Sequence, residues 1–114
     1  MKNPFGGMGD LSKMMQAARE MQDKVEGLQK SLDEITVIGE AGAGLVRATA
    51  TAKGDLTGLD IDPSIFVASE KQVVEDLILA AIKDVQARAT ERAQAEAQRL
   101  AQEMGLPPGM KLPV

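Results

Sequence analysis

The chain has 114 residues, with 13 Lys and Arg against 17 Asp and Glu and a formal net charge of −4. It is therefore the size of one domain and lacks the overall basicity of a uniformly cationic nucleic-acid binder. Cysteine and histidine are both missing, which excludes disulfides, thiolate and Ser-His-Asp nucleophile systems, and the commonest zinc ligands.

Residues 1–9, MKNPFGGMG, are rich in glycine, have no apolar h-region and read as a flexible start rather than a signal peptide. No apolar run approaches the ~20 residues of a membrane span. The expectation is a soluble cytoplasmic protein. Asp10 stands where a helix N-cap belongs. From there the apolar residues fall at Leu11, Met14, Ala18, Met21, Val25, Leu28, Leu32 and Ile35, in alternating steps of about three and four, which is a heptad pattern. A helix of about 25 residues is roughly 37 Å long. A small sheet cannot cover all of that stripe, so part of it needs a partner helix from this chain or from another copy.

Over residues 35–62 the period changes from helical to alternating. Ile35-Thr36-Val37-Ile38 is a β-rich run. After the glycine-rich segment GEAGAGLV (39–46), Val46, Ala48, Ala50 and Ala52 alternate with Arg47, Thr49 and Thr51, as on a half-buried strand. Lys53-Gly54-Asp55 reads as a turn, and Leu59 and Ile61 alternate with Asp60 and Asp62 before Pro63 ends the strand. Three strands in a meander follow. Ser69-Glu70-Lys71-Gln72 fits a capping box opening a second long helix. Its apolar face is Val74, Ile78, Ile82, Val85, Ala89, Ala93, Leu100 and Met104. The bulky half suits packing on a sheet, and the alanine half suits close approach of another helix or exposure. Gly105 and Pro107-Pro108 stop the helix, so that residues 10–104 make one α-β-β-β-α domain and 105–114 a proline-rich extended tail.

GEAGAGLV spaces its glycines as G-x-x-G-x-G, and a strand follows it. A dinucleotide turn needs G-x-G-x-x-G ahead of a helix, and a phosphate loop needs Gly-Lys-Ser/Thr. The segment therefore reads as a connection between antiparallel strands, with glycines at positive φ. Asp60 and Asp62 without histidine read as a solvated strand face rather than a metal site. Met14 and Met21 sit at heptad positions and read as helix core. Nothing points to catalysis, a cofactor or a small-molecule substrate.

The cations are placed more tellingly. Arg88, Arg92 and Arg99 lie within about 40° of one another on a helix that turns about 100° per residue. Residues 85–114 carry four basic and three acidic side chains, whereas residues 10–84 net −6. Lys13 and Lys24 share one face of the first helix. Interleaved Glu91, Glu96 and Glu103 also permit an ordinary solvated face with i,i+4 pairs. The two phenylalanines, Phe5 and Phe66, are the only aromatic residues, which disfavours recognition by base stacking.

Taken together, the helix LSKMMQAAREMQDKVEGLQKSL, the segment GEAGAGLV, IDPS at 61–64, EDLILAAIKD and the ending LPPGMKLPV resemble the YbaB/EbfC family of bacterial nucleoid-associated DNA-binding proteins. The likeness covers essentially the full length. It implies an α+β fold with a long N-terminal helix, a three-stranded antiparallel meander and a long C-terminal helix, assembled as an intertwined homodimer whose helices project like tweezers. It further implies binding of double-stranded DNA in the nucleoid, with a role in nucleoid organisation or gene regulation, and no enzyme activity, cofactor or metal. Arg88, Arg92, Arg99, Lys13 and Lys24 are the DNA-contact candidates from helical geometry alone. The competing reading is a protein–protein adaptor or chaperone-like dimer that grips partners with its projecting helices.

Overall fold

A computed structural model describes residues 4–105, and their side chains from Asp10 on. Helix α1 runs Pro4–Glu34, strands β1, β2 and β3 are Thr36–Ala41, Val46–Thr51 and Leu56–Ile61, and helix α2 is Lys71–Glu103. The order expected from the sequence is the order found. α1 starts at Pro4, ahead of the cap expected at Asp10. A proline in the first turn has no N–H to leave unpaired, although each glycine among the residues that follow weakens the helix by about 1 kcal/mol relative to alanine. Of the expected extended tail, residues 106–114 lie outside the described part of the chain.

The strands form one antiparallel sheet in the order β1-β2-β3. Val46, Ala48 and Ala50 of β2 are fully buried, while Arg47, Thr49 and Thr51 face away. Opposite the buried set stand Ala41, Gly39 and Val37 of β1, and Ile61, Leu59 and Leu56 of β3, with the register against β3 shifted between Thr49 and Ala50. α2 lies over β1 and β2 and seals this face with Ala81 and Val85, flanked by Leu77, Ile78 and Ile82. β3 receives little of that cover. Leu56 and Leu59 remain about half exposed although they lie on the helix side of the sheet.

The small residues of the sheet bring the helix close. At Gly39, a Cβ would stand 2.6 Å from the Val85 Cα and 2.7 Å from its Cβ, distances no side chain can hold. Gly39 is thus a strand residue selected for what lies across from it, and only the later glycines of the segment turn the chain. Gly42 and Gly44 take φ of 63° and 90°, and the Leu45 N–H donates to the Gly42 carbonyl at 3.2 Å. The second turn closes with Gly54 at φ 102° and the Thr51 N–H bonded to the Asp55 carbonyl at 2.9 Å.

The capping box at Ser69 and Gln72 does not form. A short 3-10 turn occupies Ala68–Glu70, α2 begins at Lys71 behind Glu70, and no side chain caps it. Gln72 instead donates to Asp76 at 3.0 Å. Earlier in the connector between β3 and α2, the Asp62 carboxylate accepts the Ser64 N–H at 2.8 Å, which closes the turn that ends β3.

The second half of α2 serves α1. Leu28 and Leu32 pack with Ala97, Ala93, Leu100, Ile35 and Ala52 in a second, smaller core. The alanine half of α2 is therefore a helix-contact surface within the chain, as its small side chains suggested. The contact engages only the C-terminal part of α1. From Asp10 to Glu20 every side chain is exposed, so Met14 does not enter the core expected from its heptad position.

Gly39→Ala should destabilise the fold by about 3 kcal/mol, the upper end of overpacking costs. Gly27→Ala, in α1 with nothing within 4 Å of a new Cβ, should stabilise it by about 0.5–1 kcal/mol. Urea unfolding of both variants at one protein concentration checks this. Equal midpoints would remove the special role of Gly39.

Candidate nucleic-acid interface

The antiparallel contact between α1 and α2 places two of the five expected cations in one cleft. Lys24, Gly27, Leu28 and Ser31 of α1 face Glu96, Arg99, Leu100 and Glu103 of α2 across an open cleft of about 340 Å³. Lys24 and Arg99 thus stand at the same level of the helix pair. Lys13 lies on the projecting part of α1, about 16 Å farther along the helix axis. Arg88 and Arg92 lie the other way, toward the sheet. The five residues are spread along the helix pair and do not form one patch.

The arginines of α2 are engaged by acids on their own helix. The Arg92 Nε donates to the Glu96 Oε1 at 3.0 Å, and the Arg99 Nη1 reaches both Glu96 oxygens at 3.1 and 3.3 Å. One carboxylate, only 17% exposed, therefore holds two guanidinium groups. The Arg88 Nε donates to the Asp84 Oδ2 at 3.1 Å. The same Asp84 oxygen accepts the Glu40 N–H at 3.0 Å, so this carboxylate ties α2 to β1 as well as orienting Arg88. The Glu40 N–H first, and Arg88 second, hold the Asp84 carboxyl below its ordinary value. Pairs of this kind are exposed and individually weak. What they decide is which cations are free.

On α1 the situation is reversed. Lys13, Arg19, Lys24 and Lys30 form no ion pair within 4.0 Å of another described residue. Arg19 and Lys30 were absent from the sequence-based set. The signal for them was present: they repeat at the same separation as Lys13 and Lys24, which returns a helical residue to nearly the same face. The i,i+4 spacings of Asp84 to Arg88 and Arg92 to Glu96 permitted the pairing on α2, but the same spacing of Arg19 to Asp23 and Glu20 to Lys24 on α1 gives no ion pair.

On the outer sheet face Arg47 is 3.6 Å from Glu40 and opposite Asp60 in register, which uses Asp60 as a cross-strand partner. Asp62 lies beyond the end of β3 and is held below its ordinary value by hydrogen bonds from Ser64. Among the described residues no group of three acidic side chains gathers as a metal site, and no helix is long and apolar enough to cross a membrane. A second cleft, between Gln29 and Leu32 of α1, Thr90 and Gln94 of α2 and the turn at 53–55, has its lysine, Lys53, 3.3 Å from Asp33.

A two-helix α+β domain with its cations along a projecting helix pair is therefore the class of protein the geometry defines. The sequence profile of the YbaB/EbfC DNA-binding family matches residues 8–104, and the chain belongs to that family. It is 42% identical over 106 residues to the nucleoid-associated protein Atu0095 of Agrobacterium fabrum, covering 93% of this chain and 99% of that one. It is 40% identical, with the same coverage, to a nucleoid-associated protein of Methylocella silvestris. The fold is that of the crystal structure of the uncharacterized protein HP0035 from Helicobacter pylori, with a TM-score of 0.63 at 19% identity over 82% of this chain and 94% of that one. The family is one of DNA-binding proteins, not of enzymes.

Because the folded Asp84 carboxyl titrates below the ordinary 3.8, its contribution to stability is complete above that value and is lost as the pH falls through the folded value. Asp84→Ala should therefore unfold at lower urea than the parent at pH 7, and the two curves should converge as the pH is taken below the carboxylate range. A gap that stays constant to acid pH would assign the loss to packing instead.

Proposed function

We propose that the protein binds double-stranded DNA as a homodimer, chiefly through phosphate contacts and duplex shape, and acts in the nucleoid to organise DNA or modulate expression. The observation that carries this reading is the helix pair itself: Lys24 and Arg99 face each other across a cleft, and unpaired cations extend along α1 from it. Phosphate contacts position a protein on a duplex without reading sequence. The side chains here that could stack on bases are few, which suits binding to intact duplex rather than to splayed single strands. A net charge of −4 opposes the approach of a polyanion, so binding is weak and strongly salt-dependent. The DNA-contact set is Lys13, Lys24, Arg88, Arg92 and Arg99, to which the free Arg19 and Lys30 of α1 are added.

Dimerisation is supported by the incomplete cover of the sheet. Leu56 and Leu59 on the helix side of β3, Phe66 and Val67 in the connector that follows, and Val73 in the first turn of α2 are each about half exposed or more. Large apolar side chains left exposed on one surface are the usual mark of a protein interface. A second copy placed there would duplicate the cation-bearing helix pairs and set them a fixed distance apart, which a single subunit cannot do. The adaptor reading is favoured by one observation, the exposed Leu11, Met14 and Met15 on α1, which could grip a protein partner.

Fluorescence anisotropy of a labelled duplex, titrated at two salt concentrations, separates the two readings: absence of binding at low salt would leave the adaptor. In the DNA reading, Glu96→Gln frees two guanidinium groups at once and should tighten binding about three- to tenfold. Lys24→Ala with Arg99→Ala should weaken it and lower the log–log salt slope by about 2. Unchanged affinity in both variants would place the contact surface elsewhere. Leu59→Asp should convert the dimer to a monomer in sedimentation velocity with its helix content retained. A persistent dimer would move the interface off β3.

A further inference from the structure

The arm of α1 that projects beyond α2 carries its charge in an ordered way. Leu32 lies beside Ala89 and Ala93, and Lys24 beside Arg99 and Glu103, so the helices run antiparallel. α2 ends at Glu103, at the level of Lys24, and residues 10–23 of α1, roughly 21 Å of helix, continue past it. Lys13 and Lys24 share one side of this arm, and Arg19 stands about 120° around the helix from them. None of the three forms an ion pair with another described residue. Gln16 falls midway between the two cation rows, with Glu20 and Asp23 to either side of it. All six side chains are exposed. Leu11, Met14 and Ala18 lie on the opposite side, in line with Leu28 and Leu32, which pack on α2. The charged face thus points away from α2, with a row of cations along each margin and polar or acidic residues along its middle.

We infer that this arm enters the major groove of the duplex, an inference that rests on the DNA reading above and adds base contacts to it. Size is the first argument. A helix about 10–12 Å across fits a groove about 12 Å wide and not the minor groove of about 6 Å. Two packed helices, with axes about 8–10 Å apart, are too broad for either, so the groove is open to α1 only where it runs past the end of α2. The placement of the cations is the second. A helix laid along one backbone uses one row of cations, whereas a helix between two backbones uses both. Lys13 and Lys24 then meet the phosphates of one strand and Arg19 those of the other. The acids are the third. Glu20 and Asp23, set between the rows, oppose a phosphate, but on the floor of the groove they face base edges. There cytosine N4 donates to a carboxylate, and adenine presents the donor and acceptor that the amide of Gln16 matches. The middle of this face therefore supplies the sequence preference that phosphate contacts lack.

The test titrates the full-length protein by anisotropy against three probes. One is a plain labelled duplex. The second is the same duplex with a glucosylated hydroxymethyl group on every cytosine, which fills the major groove. The third is the plain duplex saturated with netropsin, which fills the minor groove. Glucosylation should weaken binding at least about tenfold, because the arm loses its phosphate and base contacts together, and netropsin should leave binding unchanged. Lys13→Ala and Arg19→Ala should each lower the log–log salt slope by about 1, since the two rows meet different strands. Equal binding to the glucosylated duplex, or displacement by netropsin, would overturn the groove assignment while leaving DNA binding in place. So would a parental salt slope in Arg19→Ala, which would mean that only one row touches the duplex. Failure to bind the plain duplex at low salt would remove the DNA reading and this inference with it.

Discussion

The rest of the fold follows from how closely β1 approaches α2 at Gly39. With no side chain there, the backbone of β1 rests against Val85, and the alanines of β2 let the helix settle over the same strip. This contact fixes α2 over β1 and β2. Two consequences follow directly. β3 is left with its apolar side open, and the second half of α2 runs past the sheet offering a neighbour Ala93, Ala97 and Leu100. α1 takes that neighbour's place using two leucines. The sheet core, the helix–helix core and the uncovered faces are all set by one position at which a methyl group has no room.

Much of this was legible in the sequence. Val46, Ala48 and Ala50 announced their strand because burial on one face of a sheet imposes a period of two. The switch from bulky residues to alanine along α2 announced a change of partner, since Ala93 and Ala97 are too small to fill a sheet core but allow a helix to come near. The features that escaped are those whose meaning lies across space. Gly39 sits in a glycine-rich stretch and looks like part of a turn; only Val85 opposite explains it. Ser69 and Gln72 carry the letters of a cap, but the chain there is already committed to a turn. The proline that allows α1 to begin early is visible only once the helix is known to extend that far.

Among the candidate contact residues, position on a helix was legible and engagement was not. Arg88, Arg92 and Arg99 do share a face, as their spacing requires, yet each is held by a carboxylate one turn away. Lys13, Arg19, Lys24 and Lys30 of α1 have no such partner among the described residues, although Asp10, Glu20, Asp23, Glu26 and Glu34 each stand three or four positions from one of them. A charged side chain in a protein of net negative charge is worth to a polyanion only what remains after its own neighbours are satisfied, and that remainder depends on rotamers and distances rather than on composition.

The anchoring of α1 by Leu28 and Leu32 makes it a lever. From Leu28 to Leu11 the helix extends about 25 Å, with its fulcrum in a patch of two leucines against small side chains. A tilt of about 10° there carries the far end some 4 Å, close to one helical pitch of 5.4 Å. Of the α2 side chains packed on those leucines, Ala93 and Ala97 are small and Leu100 alone is bulky, so such a tilt disturbs little packing. In the dimer proposed above, the spacing between two such arms would thus change without disturbing the sheet core, so that objects of somewhat different width could be spanned.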